Sequence, residues 1–99
     1  MALVAVTDHA VERYGQRVRG SLDPRAEITA RVGEAIQAGR VAPGERGAQL
    51  VRDVRVPTLV YVCMEDRPRG ELIVVTLYED GEDAAVPRRF TDQLRRRRS

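Results

Sequence analysis

Thr58-Leu59-Val60-Tyr61-Val62-Cys63-Met64, then Asp66-Arg67-Pro68-Arg69-Gly70, then Glu71-Leu72-Ile73-Val74-Val75-Thr76-Leu77-Tyr78: this stretch decides the fold. Two β-branched and aromatic runs joined by a short link containing Pro and Gly have the chemistry of a hairpin, so the runs are expected to be antiparallel neighbours. Gln49 to Val54 is a third strand candidate, and Pro57 separates it from the second. A period of two along the last run assigns Ile73, Val75 and Leu77 to one face, with Leu72, Val74, Thr76 and Tyr78 on the other. Thr76 and Tyr78 then point the same way, toward the polar face if the aliphatic triplet is core.

Upstream, the pattern turns helical. Thr7 or Asp8 can accept from the free N–H groups of a first turn, which opens a helix running to about Arg17. Ala10, Val11, Tyr14 and Val18 cluster on one side of it, while His9, Arg13, Gln16 and Arg17 share another stripe. Asp23-Pro24 marks a second start and Gly39 a stop, with Ile28, Val32, Ala35 and Ile36 as the buried stripe. Val41 to Gly47 reads as a loop, and so does the acidic stretch Glu79 to Pro87; Thr91 can cap a short final turn. The expected fold is α+β, with two N-terminal helices packed on one face of an antiparallel three- to four-stranded sheet whose other face is open. Residues 1–87 form the single domain, and 88–99 form an Arg-rich tail.

Ninety-nine residues with a 42% hydrophobic share suffice for one modest core. No apolar run approaches the roughly 20 residues of a membrane span. The N-terminus lacks the cationic opening of a secretory signal, which makes the cytoplasm the expected location. Cys63 is the single cysteine, so an internal disulfide is excluded. No Cys or His spacing suits a structural metal, and no Gly-rich phosphate loop or dinucleotide fingerprint occurs, so no cofactor is expected. The net charge of +2 hides an asymmetry: residues 88–99 carry six Arg against Asp92, and the rest of the chain is net negative by three. The run Arg95, Arg96, Arg97 and Arg98 is an electrostatic handle for nucleic acid or an acidic partner, or else a solvated tail.

Histidine titrates near neutral pH, and His9 is the only one in the chain, which makes it the default general acid or base. A first-turn histidine is equally consistent with a structural role. Arg13 and Arg17 on the same stripe can neutralise a phosphate beside it, though arginines on an exposed helix face are also ordinary. Thr76 and Tyr78 can hydrogen-bond a phosphate, and Tyr78 can donate a proton, but both residue types are common in half-exposed strands. Glu12 and Glu71 are further carboxylates without a partner at catalytic spacing. Cys63, in an apolar strand, reads as a small buried hydrophobe.

The segment Thr7-Asp8-His9-Ala10-Val11-Glu12-Arg13-Tyr14-Gly15-Gln16-Arg17 resembles the His-Ala-x-x-Arg opening helix of a family of small bacterial and phage proteins of unknown function, and Val74-Val75-Thr76-Leu77-Tyr78 resembles their closing Val-x-Thr-x-Tyr strand. That family is similar to BrnT and RelE toxins, grouped with the barnase, EndoU, colicin and RelE nuclease fold. The resemblance spans about residues 7–78. It implies a metal-independent endoribonuclease of toxin type, in which the ribose 2′-oxygen attacks the adjacent phosphorus and the 5′-oxygen leaves. His9 would shuttle protons, Arg13 and Arg17 would stabilise the phosphate charge, and Thr76 and Tyr78 would orient it. The chain departs from the family's relatives in having one histidine where EndoU-like members use two, and in having no lysine. RNA is then the expected partner, with an antitoxin protein as a further one, while the exposed sheet edge can pair with itself in a homodimer or with a partner strand. Two other readings remain beside it: a non-catalytic module that binds nucleic acid or protein, and an inhibitor that uses the acidic stretch Glu79 to Asp83 as a contact.

Overall fold

In the computed structural model, residues 3–81 are described. They run in the order β1 (Leu3–Val6), α1 (Asp8–Arg17), α2 (Pro24–Gln37), β2 (Val41–Pro43), a short 3-10 turn (Glu45–Gly47), β3 (Gln49–Arg52), β4 (Leu59–Asp66) and β5 (Glu71–Glu79). The expected tail at residues 88–99, the domain boundary at 87 and the Thr91 cap lie outside the described residues.

Both helices start where capping chemistry demands. The Thr7 hydroxyl accepts from Ala10 N at 3.1 Å, and an Asp23 carboxylate oxygen accepts from Ala26 N at 3.1 Å with Pro24 following. The second helix ends at Ala38, and Gly39 takes the positive φ of 73° that lets the chain turn away. Ala10 and Tyr14 on α1, and Ile28, Val32 and Ala35 on α2, are buried, but Ile36 stays 39% exposed. It lies at the margin of the stripe, eight residues beyond Ile28, where helical rotation has carried it past the sheet.

The sheet departs from the expected one. It has five strands in the order β1-β5-β4-β3-β2, and it is mixed: β1 pairs parallel with β5, and the remaining pairs are antiparallel. Two strands escape a propensity reading. The first covers four residues and pairs on one side only, and β2 is a three-residue exposed edge containing Pro43, a position where a missing N–H costs no ladder bond. Two helices and three strands lie between β1 and β5 along the chain, a connection long enough for the parallel pairing. The predicted hairpin is present, with Gly70 at φ 63° closing it through Gly70 N to Arg67 O at 3.1 Å.

A β-bulge resets the faces of β5. Val62 pairs with Thr76 and Cys63 with Val74, so Val75 is an extra residue. Strict alternation therefore fails at that point. Leu72, Val74 and Leu77 join Tyr61, Cys63 and Val51 beneath the helices, while Ile73 and Val75 belong with Ala48 and Val62 on the opposite face. Thr76 and Tyr78 still point the same way, paired with Val62 and Val60. Their face is neither polar nor open: Val60, Val62, Ile73 and Val75 are all buried there, with Leu50, Met64 and Tyr78 packed around them.

Candidate functional site

The strand β1 ends its ladder at Val6, opposite Val74, and leaves the continuing edge of β5 without a strand beside it. Helix α1 lies along that edge instead. Thr7 donates its hydroxyl to Val75 O at 2.9 Å, with Val74 O at 3.2 Å as a second acceptor. Two turns on, Arg13 Nε donates to Leu77 O at 3.4 Å, and beyond it Arg17 Nε lies 4.0 Å from Glu79 Oε1. A helix with arginines thus covers an edge that would otherwise present bare backbone groups. Arg25 of α2 secures the junction by donating to the Val6 carbonyl and to Asp8.

Four of the expected site residues gather around this edge. Arg13 and Arg17 reach the C-terminal half of β5, where Thr76 and Tyr78 sit on the face away from the helices. Thr76 is 8% exposed and Tyr78 is half-buried. His9, one turn before Arg13 on α1, is exposed. No hydrogen bond among the described residues links His9 with Thr76 or Tyr78. Arg95, Arg96, Arg97 and Arg98 lie outside the described residues. Tyr78 also lines a concavity of about 250 Å³ together with Arg40, Leu50, Arg52 and Val60. Aliphatic side chains and two arginines line it together. Arg52 is held in place there by Asp80 Oδ1 at 3.1 Å and by the Pro57 carbonyl at 2.5 Å.

A second polar assembly sits beneath the helices, and the sequence reading missed it. Asp53 is fully buried. One carboxylate oxygen accepts from Arg55 N at 2.7 Å and Val56 N at 2.8 Å, and the other accepts from the Tyr61 hydroxyl at 2.5 Å. Arg31 Nη1 adds the countercharge at 3.2 Å. An aspartate closing its own turn where β3 ends was the available signal, because Asp favours that Asx geometry. Nearby, Tyr14 donates to Glu27 Oε1 at 2.5 Å and Ser21 donates to Glu27 Oε2 at 2.7 Å. Burial raises the pKa of both Tyr14 and Tyr61, and hydrogen bonds to Glu27 and Asp53 raise it further. The same two hydroxyl bonds, Tyr14's first, hold Glu27 below the usual carboxylate range. Phenols kept protonated and donating to carboxylates form a structural network, since neither is poised to give up its proton near neutral pH.

Burial pushes the Cys63 thiol up to about 12, so as a nucleophile it is inert. Among the described residues, no group of three His, Cys, Asp or Glu is arranged to hold a metal ion, and no helix is long and apolar enough to cross a membrane. The chain matches no family model, no curated protein and no solved structure.

Proposed function

We propose that this chain is a metal-independent endoribonuclease of toxin type that acts on RNA in the cytoplasm and is held in check by an antitoxin protein. One observation carries the reading: α1 lies along the free edge of β5, which brings Arg13 and Arg17 beside the strand segment that bears Thr76 and Tyr78. His9 takes the ribose 2′-hydroxyl proton, the 2′-oxygen bonds to phosphorus, and the P–O5′ bond breaks. His9 then returns that proton to the leaving 5′-oxygen, giving a 2′,3′-cyclic phosphate and a 5′-hydroxyl. Arg13 and Arg17 offset the charge that grows on the phosphoryl oxygens, and Thr76 and Tyr78 orient the group. Arg95 to Arg98 supply sequence-independent attraction to the RNA backbone. A homodimer joined through an exposed sheet edge fits the same reading.

The test is induction of the wild-type chain in a bacterial host beside His9→Ala and Tyr78→Phe, with total RNA inspected for new fragments. Growth arrest and fragmentation with the wild type, lost with His9→Ala, are expected. A folded wild-type protein that leaves growth and RNA intact overturns the nuclease reading. The concavity lined by Tyr78, Arg40 and Arg52 favours a second reading, a module that binds an anionic ligand without cleaving it.

A further inference from the structure

We propose that the sheet face turned away from the helices is a docking surface for the chain's own C-terminal segment, residues 84–94, with Val86, Phe90 and Leu94 as its anchors. The face is apolar along its centre, where Val60, Val62, Ile73 and Val75 lie side by side across β4 and β5. Val62 has no exposed surface at all, yet its cluster consists of strand residues and Ala48, and both helices pack on the opposite side. A valine at the middle of a sheet face is sealed from water only when something lies across it. Among the described residues, no element does.

The chain itself supplies an occupant of the right kind and in the right place. It leaves β5 at Glu79, is tied back by Asp80 N to Thr58 O at 2.8 Å, and turns at Gly81 with φ 97°. Eighteen residues follow, from Glu82 to Ser99. Val86, Phe90 and Leu94 recur every four residues, which makes a single apolar stripe in a helix, with Arg88, Asp92 and Arg95 on the opposite side. Pro87 suits the first turn of such a helix. Eight residues from Pro87 to Leu94 span about 12 Å as a helix, close to the ~14 Å width of four adjacent strands. Docking through Leu94 sets Arg95 to Arg98 at the margin of the face that carries Thr76 and Tyr78, so the basic run becomes part of that surface rather than a detached tail. This holds whether or not the chain cleaves RNA.

Phe90 is the only phenylalanine, which makes its ring an unambiguous probe in the intact wild-type protein. Nuclear Overhauser contacts from that ring to the methyl groups of Val62, Ile73 or Val75 are expected, and they should persist in an isotope-filtered experiment that admits only intramolecular pairs. Contacts to Ile28 or Val32, or no contact to any core methyl group, overturn the proposal. So do contacts that appear only between differently labelled molecules, which would assign the face to a second copy of the chain.

Discussion

Asp53 shows how one buried charge organises its surroundings. Its carboxylate closes the turn after β3 through two backbone N–H groups, anchors the Tyr61 phenol and meets Arg31 from α2, so a single residue links turn, sheet and helix. Removing it strands a buried hydroxyl and leaves the Arg31 guanidinium with only the longer contact to Glu27 at 3.9 Å. Asp53→Ala should therefore lower stability by about 3–5 kcal/mol, and Asp53→Asn, which keeps the turn acceptors, by clearly less. Urea titration of both variants measures this; an Asp53→Ala midpoint equal to wild type would show that the network is dispensable. By contrast, Arg55 and Glu34 form an exposed pair at 3.3 Å, and bonding to that carboxylate raises the Arg55 pKa without making the pair a comparable anchor.

Among the elements, α1 has two attachments that meet at Thr7. Its hydroxyl accepts from Ala10 N and donates to the carbonyls of β5, joining the helix start to the sheet edge. Thr7→Ala should cost about 1–2 kcal/mol, near the upper end for a cap, because the sheet bond is lost with it. Thermal unfolding checks the loss, and a Thr7→Ser variant that recovers most of it would assign the effect to the hydroxyl. Both helices, their caps and the β4–β5 hairpin were legible in the sequence, because capping residues, helical stripes and turn chemistry act locally. Strands β1 and β2 were not: each is short and borders a single neighbour, so its identity depends on partners far along the chain. Nor was the bulge at Val75, since alternation in one strand carries no record of the register in the next. The site was legible as residue types at α1 and β5. The placement of α1 along the β5 edge, which relates those types in space, arises from the parallel β1–β5 pairing and had no local signal.

For the molecule as a whole, the burial of protonated groups sets an alkaline limit. Cys63 is pushed up from about 9 to about 12, and Tyr14 and Tyr61 are raised above their ordinary value near 10. The folded chain keeps protons that the unfolded chain releases, so this contribution is complete below pH 9 and is lost progressively as pH climbs toward the raised values. Each such group steepens the fall by up to about 1.4 kcal/mol per pH unit. Denaturant midpoints should hold between pH 7 and 8.5 and drop markedly by pH 10.5, with Cys63→Ala removing the earliest part of the decline. Equal midpoints at pH 8 and 10.5 would contradict it.

The parallel pairing of β1 with β5 also orders events in time. Val6 meets Val74 across almost the whole described chain, so the outer strand has no place in the sheet until β5 has been synthesised and has left the ribosome. Until then α1 has no strand edge to lie along. A nascent or prematurely terminated chain carries Arg13 and Arg17 but cannot lay them along the β5 edge. The fold therefore delays whatever this surface does until β5 has been made, so no incomplete chain can present it.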